Sequence, residues 1–234
     1  MNQRGPIARF LINHRSELLM WALIGEIIAS PAADYDPHVG AALATLVLIL
    51  LLVGAWYLAS KKLVRFVVLP IAGLWFMARM LEAFSDGRRV FTHLAPIAGL
   101  ALSISILWAI FERYNSVPRI PRSAISEAFI TYLVIAIAFS QLYWILSRIV
   151  TNPFNQPIAE SQSGTLLYFS MITLSGVGYG GIVPVNPYVR LVAALESMSG
   201  IFFIAVIVAR LVSSYRPVPV SEREFGKSLS DPPA

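Results

Sequence analysis

An all-α membrane protein with six transmembrane helices, and a short re-entrant helix between the fifth and sixth, is the fold class the sequence predicts. Three observations predict it. Hydrophobic residues make up 57% of the 234 and charged residues only 13%, and the mean hydropathy is +0.69, far from the balance of a soluble chain. Apolar segments fall at about 17–30, 40–59, 63–84, 93–111, 124–148 and 188–212. Between the last two lies an apolar stretch too short to cross, followed by the glycine-alternating string T-L-S-G-V-G-Y-G-G from Thr173 to Gly181.

A helix rises about 1.5 Å per residue and needs about 20 residues to cross the hydrocarbon, and each segment is judged against that length. The first is short, holds Glu26, and can borrow residues from Ile7 onward as an amphipathic extension at the interface. The second just meets the length. On the third, Arg79 and Glu82 stand three apart on one helix face, placed to pair with each other or with Glu26. The fourth has no Lys or Arg from His93 to Phe111, which excludes a conventional charged voltage sensor. The fifth exceeds the crossing length.

Thr151 to Pro157 reads as an exposed turn-rich turret, and Ser161 to Leu174 as a helix that must dip into the membrane and return. Either Ser161 or Ser163 is placed to cap its start. Its carbonyl end, carrying partial negative charge, favours a cation at the centre. The sixth segment again exceeds the crossing length, and the tail after Val212, rich in Pro, Ser and charge, reads as disordered. Three units follow: a four-helix transmembrane domain at 1–120, a pore domain at 121–212 and a cytoplasmic tail at 213–234.

Basic residues set the orientation. Arg4, Arg9 and Arg15, then Lys61, Lys62 and Arg65, then Arg113, Arg119 and Arg122, then Arg216, Arg223 and Lys227 share one side, which the positive-inside rule makes cytoplasmic. Both termini then sit inside a multi-pass protein of the cell membrane, and the glycine string opens outward. Arg88 and Arg89 on the opposite side are the dissent. The N-terminus does not read as a signal peptide, because Arg4, Arg9, His14, Arg15 and Glu17 interrupt its apolar residues.

Glycine tolerates positive φ, so Gly178 and Gly180 alternating with Val177 and Tyr179 can turn successive carbonyl oxygens toward one axis, where they replace the water around a potassium ion. The string and its surroundings, from about Leu166 to Val212, resemble the pore of the tetrameric potassium channels, whose filter reads T-V-G-Y-G and whose four subunits each donate one loop. The resemblance implies a homotetramer in the lipid bilayer. It makes Gly176, Val177, Gly178, Tyr179 and Gly180 the ion-binding carbonyl donors, with K+ as the permeant ion and no other cofactor. It implies filter support from Tyr168, Phe169, Thr173 and Ser175, a gating-hinge glycine at Gly200, and a cavity-facing stripe of Ile201, Ile204 and Val208. Membrane-interface anchoring is the alternative for the two aromatics, and lipid-facing packing the alternative for the stripe.

Two positions depart from the family pattern. Gly176 stands where a threonine normally adds a hydroxyl ligand, so the resemblance implies a weaker inner ion site. Gly181 stands where an aspartate is usual, and Ile172 supplies no carboxylate partner, so the usual clamp behind the filter is absent. Glu196, one turn before Gly200, is either a substitute that bonds the pore helix or filter backbone, or the partner of Arg190 or a wet crevice.

The reading is therefore a potassium-selective channel subunit, with a weakly selective cation pore, or a non-conducting or transporter-associated membrane subunit, as alternatives. Enzymatic function is disfavoured, since no paired carboxylates, metal-spaced histidines or nucleophile with a base occur, and His14, His38 and His93 are scattered. The net charge of +5 reflects topology rather than nucleic-acid binding. A cytoplasmic regulatory module, if used, must come from another chain.

Overall fold

The computed structural model describes residues 15–33, 42, 62–84, 89–116, 124–158 and 163–214. These include six helices: α1 (Arg15–Ala33), α2 (Lys62–Phe84), α3 (Arg89–Ser116), α4 (Ala124–Ile149), α5 (Ser163–Leu174) and α6 (Pro187–Ser214). The only backbone pairing outside helices and turns among them is one antiparallel bridge, Phe154 with Pro184. All but residue 42 of the expected second crossing at 40–59, the side chains of Glu26 and Glu82, and the tail beyond Ser214 lie outside the described residues.

Among the described residues three stretches are long and apolar enough to cross a membrane: His93–Glu112, Ile125–Ile149 and Pro187–Arg210. Phe66–Leu81 and Gly164–Leu174 are shorter apolar helices. Charge placement suits α4 internally, with Glu127 in the first turn and Arg148 in the last, each complementing the helix dipole. α6 begins as helices prefer to begin: Pro187 occupies the first turn, and Asn186 caps it by accepting the Tyr188 N–H at its Oδ1 at 3.0 Å.

Packing follows chain order, α2 on α3, α3 on α4, and α4 on both α5 and α6, with α5 also against α6. α1 returns to lie on α4 and α5. Two apolar clusters result. One joins Leu23 of α1, Val68, Ala72 and Trp75 of α2, Ala98, Leu102 and Ile110 of α3, and Ile130, Leu133 and Val134 of α4. The other gathers Tyr143 and Trp144 of α4, Phe154 and Ile158 of the following loop, Leu166 and Phe169 of α5, Ile182, and Val189 of α6. Inside the second, Tyr143, Phe154 and Phe169 meet edge to face with centroids 4.9–6.1 Å apart, the geometry aromatic quadrupoles favour. His93 of α3 meets Trp144 edge-on at 5.5 Å, and the Arg148 guanidinium lies 4.8 Å from the Trp144 ring centroid.

Leu133→Ala opens a void where α2, α3 and α4 meet and is expected to cost about 2–5 kcal/mol. Ile125→Ala, on an exposed face of the same helix, is expected to stay within about 0.5 kcal/mol. Denaturant titration of the two variants in detergent micelles measures the difference.

Candidate functional site

The site is built where α5 ends. At 12 residues, about 18 Å, α5 is well short of a crossing length of about 30 Å. Its last carbonyls are taken up by the chain that follows. Ser175 N–H donates to Met171 O at 3.1 Å, Gly176 N–H to Thr173 O at 3.1 Å and Gly178 N–H to Ile172 O at 3.1 Å. The Ser175 hydroxyl adds a 3.3 Å bond to Ile172 O. Gly176, with φ 75°, therefore occupies the left-handed position just past a helix end that glycine fills most readily. Thr173 and Ser175 act here through their backbone and a local hydroxyl, within the turn that ends α5.

Beyond that turn the left-handed glycines recur at every second residue: φ is 75° at Gly176, 54° at Gly178 and 81° at Gly180. Val177 and Tyr179 between them do not have positive φ. An alternation of hand along an extended loop turns successive carbonyls to a common side. Nothing lies within 4 Å of where a Cβ would sit on any of the three glycines, so their backbone angles, not crowding, demand the absence of a side chain. Residues 175–181 are exposed on the single chain.

Behind the loop, three helices converge on one carboxyl. Glu196 of α6 is 0% exposed, as are Tyr143 of α4 and Ser170 of α5. The Tyr143 hydroxyl donates to Glu196 Oε2 at 2.6 Å, and the Ser170 hydroxyl is hydrogen-bonded to Glu196 Oε1. Ser170 also donates to the Ala136 carbonyl of α4 at 2.7 Å. Of the two placements open to Glu196 from the sequence, its contacts are those of the first: it bonds the side chain of the short helix, not Arg190. Tyr143 and Ser170 were not legible beforehand, because nothing local marks a tyrosine and a serine 53 and 26 residues away as partners of that carboxyl.

Four residues further along α6, Gly200 is buried against the end of α5. A Cβ on Gly200 would stand 1.9 Å from Leu174 O and 2.9 Å from Leu174 C, a contact no side chain survives. Glycine is required there by close approach, whatever part it takes in bending. α6 turns Val189, Glu196 and Gly200 inward, flanked by the half-buried Val192, Ala193, Phe203 and Ile207. Ile201, Ile204 and Val208 lie off that face and are exposed, as are Leu191, Leu195, Met198, Phe202 and Val206. The adjoining aromatics of α5 divide: Phe169 is buried in the aromatic cluster, whereas Tyr168 is exposed.

Tyr143→Phe and Ser170→Ala each strip one bond from the same buried carboxyl and are expected to cost about 1–3 kcal/mol apiece. Their effects combine non-additively, by about 0.5–3 kcal/mol, if one network holds all three groups. Simple additivity in denaturant unfolding would refute it. Gly200→Ala is expected to destabilise by about 1–3 kcal/mol or more through overpacking. Gly73→Ala, in open space on α2, is expected to stabilise by about 0.5–1 kcal/mol, and thermal unfolding in micelles distinguishes the two.

Comparison with known proteins finds matches to the part of the chain that contains this loop. Residues 127–216, from the first turn of α4 to the end of α6, match a family model described as "Ion channel". Protein LctB of Bacillus caldotenax is 30% identical over 129 residues, which cover 52% of this chain and 94% of that protein. No solved structure matches. The match begins and ends with the two long apolar helices that flank α5 and its glycine loop, and the chain belongs to the two-transmembrane-segment, pore-loop family of ion channels.

Proposed function

We propose that this ion channel is potassium-selective and that residues 176–180 are its filter, with the backbone carbonyls of Gly176, Val177, Gly178 and Tyr179 replacing the water of a K+ ion. The observation that carries this reading is the strict alternation of left-handed glycines at 176, 178 and 180 in a loop that starts at the carbonyl end of a short helix. In this reading α5 is the re-entrant pore helix, entering and leaving from the extracellular side, and α4 and α6 are the outer and inner helices of a pore domain at 121–212. Residues 1–120 contribute four further crossings around it, and both termini are cytoplasmic. Glu196, Phe169, Thr173 and Ser175 support the filter, and Tyr168 faces a neighbour.

One loop cannot enclose an ion, so the pore is a homotetramer. The apolar, outward side of α6 suits that assembly: its spanning stretch is only 11% buried within one chain. Ile201, Ile204 and Val208 line the cavity below the filter in this reading, where an apolar ring can gate by dewetting.

A weakly selective cation pore is the second reading, favoured by one observation. Gly176 brings no hydroxyl, and its φ of 75° is one that threonine adopts at a cost of about 1–2 kcal/mol. Reconstitution into planar bilayers with opposed K+ and Na+ gradients decides between the readings: reversal near the potassium equilibrium potential is expected, and reversal near zero supports the second. Gly178→Ala, which forces a side chain into positive φ, is expected to abolish K+ preference. Its retention would place the ion path elsewhere.

A further inference from the structure

The inner end of the glycine loop is held by α5, through the bonds from Ser175, Gly176 and Gly178. Its outer end has no such helix behind it. Gly180 has φ 81°, and Gly181 has neither a side chain of its own nor any atom within 4 Å of its Cβ position. What meets it is the loop that precedes α5. Asn155 N–H donates to Val183 O at 2.9 Å, and Val183 N–H donates to Asn155 Oδ1 at 2.9 Å. With Oδ1 engaged as an acceptor, the amide group of the same side chain is left facing Gly181 O, to which Nδ2 donates at 3.4 Å.

Further bonds run alongside. Val185 N–H and Asn186 N–H both donate to Pro153 O, at 3.0 and 3.4 Å, and Asn186 Nδ2 donates to Thr151 O at 3.2 Å. The strap is anchored by its neighbour in sequence, since Phe154 is buried and its ring meets Phe169 at 5.2 Å and Tyr143 at 6.1 Å. Asn155 thus connects the backbone just past the last filter glycine to the aromatic cluster of α4 and α5. Its side chain is the one in this strap that reaches Gly181.

We propose that Asn155 is the positioning residue for the outer end of the filter, holding the Gly181 carbonyl and the Val183 amide and thereby the geometry of the outermost ion site. The inference rests on the reading of residues 176–180 as the filter. Without the Asn155 side chain, Ile182 and the backbone bonds to Pro153 and Val183 still anchor the chain beyond the loop, but the peptide groups of Gly180 and Gly181 lose the side-chain bond that fixes them, and glycine backbone alone defines them poorly.

The test uses full-length Asn155→Ala, Asn155→Asp and, as a control, Gln156→Ala at an exposed neighbour, each reconstituted in liposomes. Two readouts are taken: amide exchange across 181–186, and reversal potential under opposed K+ and Na+ gradients as external K+ is lowered. Asn155→Ala is expected to speed exchange at Val183 by about tenfold or more, as lost hydrogen bonds of ordinary strength would. It is also expected to shift the reversal potential toward zero at low external K+. Asn155→Asp, close in shape, still accepts the Val183 N–H and is expected to keep that amide protected, while failing to donate to Gly181 and shifting the reversal potential. Gln156→Ala is expected to match the wild type in both.

Unchanged exchange in Asn155→Ala overturns the contact. Faster exchange with wild-type reversal in both Asn155 variants overturns the positioning role and leaves a turn residue. A wild-type protein that itself reverses near zero overturns the filter reading and this inference with it, whereas K+ reversal in the wild type with unchanged variants overturns this inference alone.

Discussion

A carboxyl group buried among apolar helices has to be satisfied by other parts of the protein, and in this chain that constraint joins the three helices that hold the glycine loop. Glu196 draws a phenol from α4 and a hydroxyl from α5 onto α6, all three side chains being fully buried. Ser170 carries the connection back to the α4 backbone at Ala136. The short helix falls below a membrane-crossing length, and these lateral bonds fix its position and rotation against α4 and α6. Four residues later, Gly200 lets the Leu174 carbonyl come directly against the α6 backbone. A polar bond and a steric notch, one helical turn apart on a single face of α6, together locate the point from which the loop departs.

From that point the loop is defined from two ends by different means. At the inner end, helix carbonyls that would otherwise be orphaned accept the N–H groups of Ser175, Gly176 and Gly178, so the termination of α5 and the first left-handed glycine are one structural event. At the outer end, pairing between 153–155 and 183–186 supplies partners from sequence-distant backbone. Between the ends, the alternating glycines accept the conformation without strain. The aromatic cluster of Tyr143, Phe154 and Phe169 links these devices, since its three members come from α4, the strap and α5.

The remaining face of α6 tells of what a single chain does not provide. A helix apolar all round is at home in a membrane or a bundle, and this one uses a narrow stripe, Val189, Glu196 and Gly200, for its own chain. Its other faces are exposed on the single chain, and ion channels of this family are commonly oligomeric. α1 packs on α4 and α5, which brings the stretch Arg15–Ala33 directly against the helix that carries the loop.

Much of this protein was legible in sequence, because the properties involved are local. Membrane-length helices are written in runs of apolar residues, the short α5 in a run too brief to cross, and the glycine loop in positions where only a residue without Cβ adopts positive φ cheaply. The family resemblance of Leu166–Val212 rested on such local signals, and the ion channel match at residues 127–216 covers the same ground. Glu196 announced itself as a costly group needing a partner. Which partner it took was decided by tertiary structure, because Tyr143 and Ser170 are ordinary residues until folding sets them beside a carboxyl 53 and 26 positions away. Likewise the sequence marks Gly200 as a glycine in a helix, and only the approach of the Leu174 carbonyl says why; it marks Asn155 as a turn residue, and only the return of the chain past Gly181 gives its amide something to hold. Backbone preference is set by each residue and its neighbours, whereas hydrogen-bond partnership and close approach are set by distances that exist only once the helices have packed.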